Sequence, residues 1–90
     1  ARILSAHGEL PRLDAAALAG ESRIAILGGA PGAAAWTAAL AGALGAEWRL
    51  YLARNLTLPG EEVCEVSPEE LRRDAGAGPV LFILLRSDVL

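Results

Sequence analysis

Apolar residues along this chain follow two rhythms in turn, one with the period of a strand and one with the period of a helix. A short apolar run at 3–5 predicts a strand that Gly8 ends. Leu10, Leu13 and Ala17/Leu18 then fall at helical spacing, predicting a helix over 11–19 that Gly20 stops. Residues 23–27 are apolar at both alternations after Arg23, the pattern of a strand buried on both faces. The turn Gly28-Gly29-Ala30-Pro31-Gly32 follows, with Pro31 suited to a helix start. Trp36, Leu40 and Leu44 lie one turn apart and predict a helix over 33–44 closed by Gly45. In a third strand at 47–54, Trp48, Leu50 and Leu52 point one way and Arg49, Tyr51 and Ala53 the other. A loop at 55–60 leads to a fourth strand at 61–66, charged enough to sit near a sheet edge. Ser67-Pro68-Glu69-Glu70 reads as a capping box that starts a helix, and Gly76-Ala77-Gly78-Pro79 breaks it. The last strand, 80–85, has no polar residue and is expected to be central.

The order β-α-β-α-β-β-α-β predicts an α/β fold: a five-stranded mixed, mostly parallel open sheet flanked by helices, reversed at the fourth strand. Residues 1–90 form one such domain. With 53% hydrophobic residues the chain buries a real core, and disorder is excluded. The net charge is −3 and all eight basic residues are arginine, so no basic field suited to nucleic acid or an acidic membrane surface exists. No apolar run reaches the length of a bilayer-spanning helix. One cysteine, Cys64, excludes a disulfide framework and fits a reducing cytoplasm. The chain starts without methionine inside an apolar run, and we expect it to be part of a longer protein.

Candidate chemistry is sparse. His7, in Ser5-Ala6-His7-Gly8, is the one histidine, and it sits where a strand gives way to a loop. Ligands gather at such carboxyl ends in open α/β sheets. With no second histidine or cysteine beside it, His7 does not make a metal site, and spacing by itself favours a structural or solvent-facing role. The glycine turn after the second strand could cradle an anion at a helix start. It lacks the Lys-Ser/Thr of a phosphate-binding P-loop and misses Gly-x-Gly-x-x-Gly, so a tight strand-to-helix connection is the favoured reading. Cys64 has no partner and reads as inert. The acidic run Glu61, Glu62, Glu65, Glu69 and Glu70 reads as edge-strand and helix-start charge, with no spacing that selects a catalytic pair. The residues alone thus point to an α/β domain whose ligand edge gathers 5–8, 27–32, 54–58 and 76–80.

Four stretches carry a resemblance: Ile3-Leu4-Ser5-Ala6-His7-Gly8; 23–28 with the Ala/Leu-rich helix after Pro31; Asn55-Leu56-Thr57-Leu58-Pro59-Gly60-Glu61-Glu62-Val63; and Val66-Ser67-Pro68-Glu69-Glu70-Leu71 with Gly78-Pro79-Val80. Together they resemble the second, C-terminal domain of the tetrapyrrole methylase family, most of all the subfamily that methylates precorrin-6Y at C-5 in cobalamin biosynthesis. The chain departs from that pattern at Glu9, where the subfamily carries arginine, at Thr57 in place of glycine, and at Ser67-Pro68 in place of Thr-Leu.

The resemblance implies an S-adenosylmethionine-dependent C-methyltransferase whose cofactor lies in a cleft between two α/β domains. The N-terminal one is absent from this chain, which is then inactive alone. It implies cofactor contacts from Leu27, Gly28, Asn55, Leu56, Thr57, Pro79 and Val80, and contact of Ser5, His7 and Gly8 with a precorrin or cobalt-precorrin substrate. It assigns no catalytic side chain and no metal ligand, and it implies a homo-oligomer. The competing expectations are a non-catalytic α/β interaction or dimerisation module, and another tetrapyrrole methylase.

Overall fold

The computed structural model describes residues 2–6, 9–12, 14–29, 31–55, 58–73 and 80–89. Their elements are β1 (Arg2–Ala6), α1 (Ala15–Leu18), β2 (Arg23–Gly28), α2 (Ala33–Leu44), β3 (Trp48–Arg54), β4 (Glu62–Val66), α3 (Pro68–Arg73), β5 (Val80–Arg86) and a 3₁₀ turn, η1 (Ser87–Val89). The five strands form one sheet in the order β1-β2-β5-β3-β4. The α/β class, the five strands, the edge position of β4 and the central position of β5 agree with the sequence pattern.

Strand direction corrects the expectation of a mostly parallel sheet. β1 and β2 are parallel, whereas β2–β5, β5–β3 and β3–β4 are all antiparallel. The physical reason lies in the connections. The β3–β4 turn reverses the chain, and a strand–helix–strand crossover then preserves the new direction. β5, reached from β4 through α3, therefore runs with β4 and against the β2 and β3 strands that it separates.

The register sorts the side chains into two faces. Leu4 and Ala6, Ile24 and Ile26, Phe82 and Leu84, Leu50 and Leu52, and Cys64 and Val66 share one face. The buried ones form the core cluster with Leu18, Leu40 and Leu71 of the helices, and the partly buried Leu4, Cys64 and Val66 pack against it. The other face carries Ile3, Ala25, Leu27, Leu81, Ile83, Tyr51 and Val63, and none of these belongs to that cluster. Here the expectation that the second strand is buried on both faces also fails. Ile24 and Ile26 are buried, but Leu27 is 47% exposed. Its cause is topological: right-handed crossovers place every helix of this strand order on the same side of the sheet.

Helix boundaries follow local chemistry. The first helix is a single turn rather than 11–19, because Asp14 caps it: its Oδ1 accepts from the Ala17 N–H at 3.1 Å. α2 starts at Ala33, two residues past Pro31, from Gly32 held at φ 80°. It closes at Gly45, φ 101°, whose N–H donates to the Ala41 carbonyl at 3.2 Å.

The capping box of α3 forms as read. The Glu70 N–H donates to Ser67 Oγ and the Ser67 N–H to Glu70 Oε1, both at 3.1 Å. Replacing Ser67 with alanine is expected to lower the unfolding free energy by about 1 kcal/mol, read as a shift of the urea midpoint at unchanged slope. At the end of the sheet where β3 begins, η1 is fastened by Ser87 Oγ on the Glu47 carbonyl at 2.6 Å and by an Arg86–Asp88 ion pair at 2.7 Å. The Arg86 hydrogen bond holds the Asp88 carboxyl below its ordinary value.

Candidate functional site

The pairing register places Ala6, Gly28, Val80, Arg54 and Glu62 in one row across all five strands. This row is the rim of the sheet where β1, β2 and β3 end and where β4 and β5 begin. Segments far apart in sequence, 5–6, 27–29, 54–55 and 80, meet there because three strands run up to it and two run down from it. Of the edge inferred from the sequence, the described strand ends lie along a single edge in space; 7–8, 30, 56–57 and 76–79 lie outside the described residues.

Five of the expected contact residues fall among the described positions, and the row or its neighbour holds four of them. Gly28 and Val80 are register partners, and Ser5 pairs with Leu27 one position below. Ser5 and Leu27 point to the open face and are exposed. Asn55 follows Arg54 directly, at φ 51°, a left-handed conformation that asparagine tolerates. Its Nδ2 donates to the Gly60 carbonyl at 3.4 Å, and its own carbonyl accepts from the Leu58 N–H at 3.0 Å. The Asn55 side chain thus braces its own loop. His7, Gly8, Leu56, Thr57 and Pro79 lie outside the described residues.

Gly28 has a packing reason of its own. A Cβ there would stand 2.6 Å from Phe82 Cε2 and 2.8 Å from Val80 Cγ2, so the space beside it is filled by the chain itself. Its glycine character serves the Phe82 ring, while its peptide groups remain at the rim.

Sequence patterning does not reveal the apolar rim or the charged corner. Leu10, which follows β1, and Leu58, in the loop after β3, are 42% and 60% exposed, as is Leu27, at 47%, one position below the row. A signal exists for Leu58, a leucine inside a turn-rich loop. Arg54 and Glu62 face each other across β3 and β4 as register partners. Beside them a half-open hollow of about 250 Å³ runs down the helix-covered face, with Leu52, Cys64 and Leu71 among its lining. Cys64, half-buried, borders it. Among the described residues no group of three or more His, Cys, Asp and Glu side chains is arranged to hold a metal ion. No described helix is long and apolar enough to cross a membrane.

No family model and no curated protein matches this chain. Solved structures do share its fold. Uroporphyrin-III C-methyltransferase from Thermus thermophilus, complexed with S-adenosyl homocysteine, superposes with a TM-score of 0.66 at 20% identity over 98% of this chain and 42% of its own. The native form of the Thermus thermophilus enzyme gives 0.65 at 21% identity, over 97% and 40%. The chain therefore spans about two fifths of the length of those proteins. At this identity the likeness establishes a shared fold.

Proposed function

We propose that this domain is the C-terminal half of an S-adenosylmethionine-dependent C-methyltransferase acting on a tetrapyrrole of the corrin pathway, with precorrin-6Y or its cobalt form as substrate. The observation that carries the reading is the row Ala6–Gly28–Val80–Arg54–Glu62, which brings the segments around Ser5, Leu27, Asn55 and Val80 to one rim. The Thermus thermophilus relative in fold was crystallised with S-adenosyl homocysteine, which supports the choice of cofactor.

The residues present suit such a ligand. Adenine needs flat apolar cover and a few backbone hydrogen bonds, and a rim of exposed leucines beside strand-end peptide groups supplies both. Leu27, Gly28 and Val80 would hold the adenosine from the sheet, and the loop Asn55, Leu56 and Thr57 with Pro79 would close round it. Ser5 near the end of β1, with His7 and Gly8 that follow it in the sequence, would meet the macrocycle. When bound, S-adenosylmethionine supplies a methyl group on a positively charged sulfur, which a carbon of an electron-rich macrocycle can attack. This chain's part is to orient and to exclude water, and the gain is that of proximity. No side chain here is assigned as a base.

The intact reading frame that contains this chain is expected to bind S-adenosylhomocysteine in the micromolar range by calorimetry. It should also add one methyl group, by mass spectrometry, to a precorrin-6Y-type tetrapyrrole in preference to uroporphyrinogen III. Absence of S-adenosylhomocysteine binding would discard the methyltransferase reading. Binding with methylation of uroporphyrinogen III alone would move the substrate and leave the cofactor. The open apolar face of the sheet favours a second reading, a non-catalytic interaction module.

A further inference from the structure

β4 ends the sheet order, and its inner edge pairs with β3 in unbroken register from Glu62 to Val66. Among the described residues nothing pairs with its outer edge. The N–H and C=O groups along such an edge are a template for another strand, and proteins guard edges with proline, bulges, covering segments or charge. β4 holds neither proline nor glycine, and what guards it among the described residues is charge, Glu62 and Glu65. From 61 to 71 the chain carries five glutamates, all exposed, and no basic residue.

A second feature lies beside this edge. The half-open hollow of about 250 Å³ is lined from β3, β4 and α3, with no residue of α2. α3 packs against α2, and β4 is the outermost strand beneath it. The apolar part of the lining is Leu52, Cys64, Val66 and Leu71. Its volume exceeds the roughly 150 Å³ that accommodates benzene in an apolar cavity. Cys64 is half-buried, a side chain too short to close the hollow from the β4 side. Facing side chains of neighbouring strands stand about 5 Å apart. A strand laid along β4 therefore sets one of its side chains beside Cys64, where a ring can reach inward.

We infer that the outer edge of β4 takes a sixth strand, an extended basic segment of another polypeptide, with an aromatic side chain that enters this hollow. Laid antiparallel, as β3 is to both β4 and β5, the segment meets Val66, Glu65, Cys64, Val63 and Glu62 in turn. Its residues are then apolar, basic, aromatic, apolar and basic. On the inner side, β3 sets Arg54 opposite Glu62 and brings Arg49 to 3.2 Å from Glu65. A basic side chain on the outer side places each glutamate between two cations. An uncharged strand would cover both carboxylates without compensation, and an acidic one would add repulsion. A slip by one residue would move the ring to the open face and the basic groups off the glutamates, so the pattern fixes its own register. Recognition of this kind draws affinity from main-chain hydrogen bonds and specificity from alternate side chains. It is independent of the methyl-transfer reading.

The test titrates the full 90-residue chain into a fluorescent peptide containing Val-Lys-Phe-Val-Lys, followed by anisotropy. Binding is expected with a Kd of about 10–100 µM. Glutamate in place of both peptide lysines should abolish it up to about 1 mM. Successive amides of a strand point to opposite edges, so methylation separates edge pairing from plain charge attraction. One peptide is N-methylated at the first, third and fifth of these residues, the other at the second and fourth. One of the two should bind at least about tenfold more weakly, and the other within about threefold of the parent. Cys64→Trp fills the hollow, with circular dichroism to confirm the fold. It should weaken the phenylalanine peptide at least about tenfold and leave an alanine analogue unchanged. Absence of saturable binding below about 1 mM would overturn the inference. Equal weakening by the two methylations would also overturn it, as would equal affinity for the glutamate peptide. A folded Cys64→Trp variant that binds the phenylalanine peptide unchanged would remove the hollow from the site and overturn the aromatic anchor.

Discussion

Replacing Phe82 with alanine is expected to cost about 3–5 kcal/mol, the largest loss available from one side chain in this domain. Phe82 is 1% exposed in the central strand, paired with Ile26 of β2 and Leu52 of β3, and it is the largest fully buried side chain. β5 makes the sheet continuous, since both β2 and β3 pair with it rather than with each other. Loss of the ring therefore leaves a cavity under both halves at once. A chain of 90 residues has roughly 5–13 kcal/mol of stability in all. The variant should retain between none and about three quarters of that, seen as a fall in the urea midpoint at fixed protein concentration. A loss below about 1 kcal/mol would mean that the ring is not packed between the halves as described.

The central place of Phe82 is legible in the amino-acid sequence, because 80–85 holds no polar residue and a strand of that kind sits inside a sheet. The alternation of 47–54 and the capping box at Ser67–Glu70 are legible for the same kind of reason: each is a local pattern with one physical solution. What is not legible is relational. Leu27 reads as a core residue on composition, yet nothing local says that all the crossovers cover the same face and leave its side uncovered. The direction of β5 is in principle deducible, since a reversal at β4 followed by a helical crossover requires it, but apolar content on both faces suggests a parallel strand instead. The first helix is short because Asp14 competes for the chain as a cap, a signal present in the sequence and outweighed there by the leucine spacing. The candidate rim is legible as a set of segments, through the rule that strand ends gather ligands. Its row of register partners, and the pairing of Arg54 with Glu62 across β3 and β4, require the sheet order.

Gly28 belongs both to the packing of β5 and to the candidate rim, so one substitution there probes the two together. Gly28→Ala is expected to destabilise the domain by about 1–3 kcal/mol. Its cause is space rather than backbone conformation, since Gly28 is not among the residues with positive φ. The new methyl would approach the Phe82 ring edge to 2.6 Å and Val80 Cγ2 to 2.8 Å. Val80 is half-buried and can rotate; the ring is locked in the core and cannot give. The cost should therefore depend on Phe82. In a Phe82→Leu background the same change should cost at least about 1 kcal/mol less, a coupling that a double-mutant cycle of urea midpoints would measure. If the two changes were simply additive, the ring would not be the obstacle. The direction of the methyl also bears on ligand binding. It points into the helix-covered core and not out of the rim, so cofactor affinity in the intact protein should fall only as far as the fold loosens. Measured against Phe82→Leu by itself, Gly28→Ala should then cost less in both stability and affinity, whereas a glycine required for close approach of a ligand would lose affinity equally in either background.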